Sequence, residues 1–534
     1  MHSPSHPPLS RRHFAQRALL AAAATSAPRW AWLQTAPAQH NPFALGVASG
    51  EPAPDGMVLW TRLVPAAGEA LSAQTVRWEL AHDDAFRHIV QKGQATATPE
   101  LGHSVHVEVQ GLEPARWYHY RFMLGDAISA TGRTCTAPAA DAMATRLRVV
   151  FASCQRWEHG QYAAWRHVCA DQPDLVLFLG DYIYESATPK NADDLPRTHS
   201  LRHARTLADY RDRYALYKSD PALQAAHALC PWVVTWDDHE VLNDYAGDHA
   251  GPGGTAEDAA AFLVRRSAAW QAFYENMPLR ASSLLGTSFE HLQVYRRLAW
   301  GRLAQLHLLD DRQYRALQAC RKPGSTNAGS VRPADCAELA DPTRTLLGPA
   351  QEQWLDKGLA DDARNQRTRW SVLAQQTLFT PRHYPSGQVG TDAWDGYPAA
   401  RSRLLQSVQR HHPRNTVLLG GDIHQNYVCN VHAEASGSGP RSGSSTPIIA
   451  SEFCGTSITS RAGTTQDKVD AVVRHNPHVL LARCEQRGYG VADITPQRWT
   501  TTLRVVDNVL DAQSTASTQA RFVVEDGKPG PVAA

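Results

Sequence analysis

The chain has 534 residues, with 53 Lys and Arg against 52 Asp and Glu for a formal net charge of +1. That length exceeds one ordinary core and points to two domains or one large α/β domain with additions. The balanced charge argues against a surface that coats nucleic acid or another polyanion. Beyond the N-terminus no apolar run is long enough for a transmembrane segment in the mature chain.

The first residues read as an address. Ser10-Arg11-Arg12-His13-Phe14 is a twin-arginine pattern, followed by an apolar, Ala-rich stretch from Ala18 to Ala24 and a small-residue site at Ala36-Pro37-Ala38. Residues 1–38 are therefore expected to be a signal peptide for the twin-arginine export machinery, leaving the protein periplasmic or extracellular. Cargo of that route crosses already folded, which suits a protein that loads a metal in the cytoplasm. The nine cysteines include no CxxC pair, which argues against a zinc ribbon or a thioredoxin-type site. Cys320 and Cys336 bracket a polar segment rich in Gly, Pro, Ser and Asn and are the expected disulfide in an oxidising compartment.

Over residues 39–138 the apolar pattern alternates with period two, in Val58–Thr61, Val76–Leu80, Val105–Val109 and Trp117–Phe122, with Gly and Pro turns between. This predicts a small antiparallel sandwich, one that covers or props a larger domain. Gly111-Leu112-Glu113-Pro114 before an alternating aromatic strand is similar to the turn and strand of fibronectin type III modules.

After an Ala-rich linker at 139–145 the style changes to strand and helix in alternation, and residues 145–515 are expected to form an α/β catalytic domain. Leu147–Ala152 is a predicted strand ending in Ser153-Cys154-Gln155-Arg156, and a helix follows over Tyr162–Ala170. Leu175–Leu179 is a buried strand stopping at Gly180-Asp181, with Tyr184 three residues on. An Arg-rich helical insertion, Leu201–Tyr217, leads to Pro231–Trp236, which ends in Asp237-Asp238-His239-Glu240. Leu303–Leu309 ends in Asp310-Asp311-Arg312, Trp370–Leu373 in Gln375-Gln376, and Thr416–Leu419 in Gly420-Gly421-Asp422-Ile423-His424. Residues 516–534 are small and polar and are expected to be a disordered tail or loose lid.

A single Asp after a strand usually caps a helix. Here Cys154, Asp181, Tyr184, Asp238, His239, Asp422 and His424 all follow strand ends, and in one sheet those ends share one edge. Converging carboxylates repel and are costly to desolvate unless a cation holds them. The mixture of thiol, phenol, imidazole and carboxylate predicts a transition metal such as iron on the Cys and Tyr side and an oxygen-preferring ion on the Asp side. Competing motifs are poor. Ser438 lies in a Gly- and Ser-rich run with no flanking elements for a nucleophile elbow, no HExxH occurs, and Cys154 as a nucleophile or a core thiol stays an open alternative.

These phrases together resemble the PhoD-like alkaline phosphatases and phosphodiesterases, within the calcineurin-like metallophosphoesterases. The match runs through FALGVASGEPAPDGMVLWTRL from Phe43, FASCQRWEHG from Phe151, LVLFLGDYIYE from Leu175, TWDDHEVLND from Thr235, LDDRQYR from Leu309, AWDGYPAAR from Ala393, LLGGDIHQNY from Leu418 and EFCGTSITS from Glu452. The resemblance implies an α/β metallophosphoesterase sandwich after a small fibronectin III- or Ig-like β-sandwich, and a site holding Fe3+ and Ca2+. It implies Cys154 and Tyr184 as iron ligands, Asp181 as the bridge between the metals, and Asp422 and His424 as a variant of the family's closing motif. It also implies Asp238 as a ligand of the second metal, with Asn243 competing for that role, and His239 as a transition-state stabiliser. Arg156 would clamp the phosphate with its planar fork. The function implied is hydrolysis of phosphomonoesters, phosphodiesters or both by attack of a metal-activated water or hydroxide. A phospholipase D-like activity on phospholipids and a non-catalytic exported binding module are the alternatives.

Overall fold

Period-two alternation along three short parallel strands, Leu147–Ala152, Leu175–Phe178 and Trp232–Val234, builds the centre of the molecule. Val150, Ala152, Val176, Phe178, Trp232 and Val234 face one side and join a core with the helices Ala163–Asp171, Leu207–Lys218, Pro221–Leu229 and Ala259–Asn276. Val149, Phe151, Leu175, Leu177 and Val233 face the other side, against Leu306, Leu308, Val372, Ala374, Val417 and Leu419 of a second sheet. The outer face of that sheet, through Leu373 and Leu418, packs on the helices Gly348–Arg364 and Pro398–His411. Two sheets thus lie face to face with helices on both outsides, because each strand is apolar on both faces. The computed structural model describes residues 41–534 apart from 67, 251–257, 287, 322–328, 365–367 and 435–445. The expected signal peptide and the Ser438 loop lie outside the described residues.

The first sheet has ten strands and the second seven. In the second, Ala304–Leu308, Trp370–Ala374 and Thr416–Gly420 run parallel in register, with Ile448–Cys454 beside them. The converging strand ends therefore belong to two facing sheets and not to one, as the sequence pattern suggested. A continuous apolar run reports that a strand has two covered faces; it does not report which sheet the strand joins.

The N-terminal region is all-β, but its sheets are not a separate body. Gln74–Ala81, Ile89–Ala97, Trp117–Leu124 and the short strands after it form a five-stranded sheet. Val76, Leu80, Tyr118, Tyr120 and Phe122 from that sheet pack on Val47, Leu59, Val105 and Val107. The latter belong to Val47–Ala53, Gly56–Arg62 and Ser104–Val109, which extend the ten-stranded sheet, Val47–Ala53 pairing in parallel with Trp232–Val234 where Gly50 lies opposite Trp232. A Cβ at Gly50 would sit 2.5 Å from the Trp232 carbonyl oxygen and 2.7 Å from that of Pro278. Only glycine allows so close a junction.

The tail is also corrected. Ala516–Glu525 and Lys528–Ala533 are strands that complete the edge of the ten-stranded sheet. Phe522 and Val524 are buried between the two sheets, and the Gly530 N–H donates to Ser451 Oγ at 3.0 Å. Small polar residues are what a half-exposed edge strand carries, so composition alone read as disorder; the alternation in Arg521–Glu525 was the local signal. Cys320 and Cys336 form the expected disulfide. No helix among the described residues is long and apolar enough to cross a membrane.

Candidate metal centre

Level strand ends bring the polar residues together. In the first sheet Phe178 is level with Ala152 and with Val234, so Cys154, Asp181 and Asp237 emerge side by side. In the second sheet Leu308, Ala374 and Leu419 are level, which delivers Asp310–Arg312 and Asp422 to the same end. Cys154, Asp181, Asp244, Asp422 and His424 all have left-handed backbones, with φ of 59°, 58°, 56°, 64° and 55°. Such conformations cost about 1–3 kcal/mol each in a non-glycine residue and persist where the surroundings impose them. Cys154, Asp181 and Asp422 lie within three residues of a strand end, so there the left-handed turn re-aims the chain as it leaves the strand. Gly180, at φ 107°, makes room for the neighbouring loop, since a Cβ there would lie 2.4 Å from Asp237 Cβ.

Cys154, Asp181 and His424 place one donor atom each within 4.8 Å of one another, and Asp181, Asp238 and His239 do the same. Asp181 belongs to both groups. Tyr184 Oη lies 2.7 Å from Asp181 Oδ2 and 3.2 Å from His424 Nε2. His424 Nδ1 lies 2.8 Å from the Arg461 carbonyl, which can only accept, so the ring proton sits on Nδ1 and the Nε2 lone pair faces Tyr184. Burial pushes the His424 pKa down to about 3, aided by the nearby Arg487, and keeps the ring neutral. Asp181 is pushed well above the usual carboxylate range by burial and by Asp238, Asp237 and Glu240, against the pull of His239. Cys154 Sγ has Ser153 Oγ as its hydrogen-bond partner, and burial followed by Asp181 pushes its thiol up.

The other half is acidic and built around a buried arginine. Asp237, Asp238 and Asp422 form one group of converging donors, and Asp238, Asp244 and Asp392 another. Arg312, fully buried, contacts Asp237 through Nε, Asp392 at 2.7 Å, Asp422 at 3.2 Å and Asp238 at 3.8 Å. Arg315 adds a second contact to Asp392 at 2.8 Å. Even so, Asp237 Oδ2 and Asp238 Oδ1 are buried without a hydrogen-bond partner. Buried carboxylate oxygens left unpaired are costly, and a cation is the natural partner for both. The donor sets fit the two metal types anticipated: thiol, phenol and imidazole at one end, carboxylate oxygens alone at the other.

Supporting residues fasten the loops. Glu240 accepts from the backbone N–H groups of Asp181, Tyr182 and Asp237, joining the loops that follow Leu175–Phe178 and Trp232–Val234. Tyr217 Oη accepts from Trp157 N at 3.0 Å and from Tyr184 N at 3.2 Å. Ser460 Oγ lies 2.7 Å from Tyr184 Oη and 2.9 Å from the Cys154 carbonyl. His239 packs against Tyr184 with ring centroids 4.1 Å apart and planes tilted by 33°, and its Nδ1 lies 2.7 Å from Glu185 Oε2. Although burial opposes it, Glu185 with Asp181 and Asp238 raises the His239 pKa well above the ordinary histidine value. Asn243 donates its backbone N–H to Glu185 at 3.1 Å, and its side-chain amide makes no hydrogen bond among the described residues. Arg156 stands at the rim, 5.4 Å from the centre of the Tyr184 ring. Sequence reasoning did not single out Arg312, Asp392, Asp244, Glu240 or Ser460 for a role, though four of them lie within the phrases that carry the resemblance and Asp392 directly precedes one.

Two facing sheets carry at their aligned ends a mixed-donor cluster beside an arginine-braced acidic one, and the relatives of the chain place that arrangement in a hydrolytic enzyme of the phosphoesterase class. Residues 149–503 match the model for the PhoD-like phosphatase, and residues 25–138 match that for the PhoD-like phosphatase N-terminal domain. Alkaline phosphatase D of Bacillus subtilis (strain 168) is 43% identical over 501 residues, spanning 92% of this chain and 82% of that protein. A solved structure described as the structure of PhoD superposes with a TM-score of 0.84 at 42% identity, covering 93% of each chain. The chain belongs to the PhoD-like phosphatase family. It is accordingly a phosphatase, and the non-catalytic binding reading falls away.

Proposed function

We propose that this phosphatase is metal-dependent and cleaves phosphomonoesters, phosphodiesters or both, with Fe3+ held by Cys154, Asp181, Tyr184 and His424 and Ca2+ held on the side of Asp238 and Asp422. The observation that carries this reading is the pairing of the Cys154–Asp181–His424 group with an acidic group whose buried oxygens Asp237 Oδ2 and Asp238 Oδ1 have no partner. Asn243 and Asp238 remain the two candidates for the second-metal position. The layered body is read as a calcineurin-like metallophosphoesterase sandwich and the N-terminal region as fibronectin III- or Ig-like. Residues 1–38 are read as the twin-arginine signal, which puts the enzyme in the periplasm or outside the cell.

Bound there, ions of this charge supply neutralisation of the ester's non-bridging oxygens and a lowered pKa for the attacking water. The chain's own groups do the rest. Arg156 binds the phosphate from the rim. Glu185 holds Nδ1 of His239, which leaves the charged ring's Nε2–H to donate to the phosphoryl group or to the departing oxygen. Tyr184, fixed by Ser460 and Asp181, forms the floor against which that imidazole packs.

Metal analysis and a visible spectrum of the purified protein test the site, because thiolate or phenolate on ferric iron absorbs in the visible range. Absence of both metals, together with full activity in Cys154→Ala, removes the assignment. Comparing nitrophenyl phosphate, its bis-ester and phosphatidylcholine separates monoesterase, diesterase and phospholipase D-like action.

A further inference from the structure

Two residues after Cys154, the Arg156 side chain is only 18% exposed, and the way it is held leaves one arm of its fork unengaged. Its Nη2 donates to Ser186 Oγ at 3.0 Å, and its Nε lies 3.5 Å from Glu158 Oε2. The Nε contact is electrostatic, since Nε makes no geometric hydrogen bond. Nη1 has no partner among the described residues. Glu158 itself is completely buried, and its charged neighbours are Arg156 and His199, whose Nε2 lies 3.2 Å from Oε1. Burying a carboxylate with so few partners is costly, and a purely structural role would be served as well by an apolar side chain. Although burial opposes ionisation, His199 and Arg156 hold Glu158 down at about 2, so it carries its charge throughout the working range.

Ser186 is equally constrained. Arg213, fully buried on the helix Leu207–Lys218, donates to the carbonyls of Tyr184 and Ser186, so the loop that carries Tyr184 also fixes the hydroxyl that Arg156 grips. A guanidinium gripped on Nε and Nη2 is oriented in its plane while Nη1 stays open.

We propose that Glu158 and Ser186 are positioning residues for phosphate binding: they hold the Arg156 fork from behind so that Nη1 is presented to the ester. This rests on the reading of Arg156 as the phosphate clamp. It predicts that Glu158→Gln, which keeps the volume and removes the charge, weakens inorganic phosphate as an inhibitor and raises KM about 10-fold while kcat changes little, the cost of a fork displaced by a fraction of an ångström.

The test is a double-mutant cycle in the full-length, metal-loaded enzyme: wild type, Glu158→Gln, Arg156→Ala and the double variant. The readouts are KM and kcat for nitrophenyl phosphate, calorimetric affinity for inorganic phosphate, and metal content. The expected result is that Glu158→Gln weakens phosphate on its own, has no further effect on the Arg156→Ala background, and leaves the metal content unchanged. An undiminished effect on that background, or none in wild type while Arg156→Ala alone weakens phosphate, overturns the proposal and leaves the clamp standing. If Arg156→Ala leaves phosphate affinity and KM unchanged, it is the clamp that fails, and the positioning role with it. Should Glu158→Gln not accumulate as folded protein, Ser186→Ala in the same cycle carries the same expectation, about 3- to 10-fold and non-additive with Arg156→Ala.

Discussion

Replacing Arg312 with Gln gives the sharpest test of the acidic half. In the metal-free protein this buried guanidinium is the central counter-charge to Asp237, Asp238, Asp392 and Asp422. At about 4 kcal/mol for a unit pair near 4 Å under an effective dielectric of about 20, the three contacts at 2.7 Å, 3.2 Å and 3.8 Å amount to a gross attraction above ~10 kcal/mol. Most of that offsets the cost of burying the charges. What is lost when one partner is removed and the others stay buried is about 3–5 kcal/mol. Arg312→Gln should therefore lower the unfolding free energy of chelator-treated protein by an amount in that range, and its denaturation midpoint with it. Calcium should restore more stability to the variant than to wild type, because removing one positive charge from a set of carboxylates strengthens their hold on a cation. Calorimetric scans with chelator and with added calcium measure both terms. A variant as stable as wild type in chelator, or one with a smaller calcium-induced stabilisation, would refute the claim that Arg312 braces a cation site.

Gly50→Ala should cost about 1–3 kcal/mol by wedging a methyl between the Val47–Ala53 strand and the Trp232 carbonyl, seen as earlier unfolding in denaturant; an unchanged midpoint would show that the sheet junction yields easily. Lys218 is buried against the rings of Trp60 and Tyr182 at 4.3 Å and 5.2 Å, and burial, with Arg62 adding to it, lowers its pKa from 10.5 to about 7. Between those values the unfolded chain carries a proton that the folded one lacks. This contribution is thus complete above pH 10.5 and shrinks as pH falls towards about 7, by up to about 1.4 kcal/mol per unit. Lys218→Met should flatten the rise in stability across that window and leave the protein more stable than wild type near neutrality, read from denaturant midpoints at about pH 7.5 and about pH 9.5; a variant whose slope matches wild type counts against the neutral amine.

The site was legible in the sequence where it is local. An apolar run that stops at a polar pair, as at Leu179-Gly180-Asp181 or Leu419-Gly420-Gly421-Asp422, declares both the strand and the residue it delivers. What was not legible depends on which strands meet. Arg312 follows Asp310 and Asp311, where an arginine reads as a local salt bridge, yet its partners are Asp237, Asp238, Asp392 and Asp422 on other loops. Asp392 follows only a two-residue strand, Val389–Gly390, so no buried run announced it. The split of the strand ends between two facing sheets was hidden for a similar reason, since Leu175–Phe178 and Thr416–Gly420 have the same apolar character in different sheets.

The Arg-rich insertion now has a physical explanation. The helix Leu207–Lys218 begins with a Thr206–Asp209 capping box and buries Tyr210, Arg213, Tyr214 and Tyr217, residues spaced three or four apart that share one face. Through Arg213 and Tyr217 that face ties the backbone at Tyr184 and Ser186 to the loop at Trp157, and Tyr210 Oη donates to the Val241 carbonyl just beyond Glu240. Left-handed residues such as Cys154 and Asp181 would relax if their loops were free. A helix hydrogen-bonded across the loops following them supplies the restraint their conformations need, so the insertion works as a spline for the loops that carry Cys154, Asp181 and Tyr184.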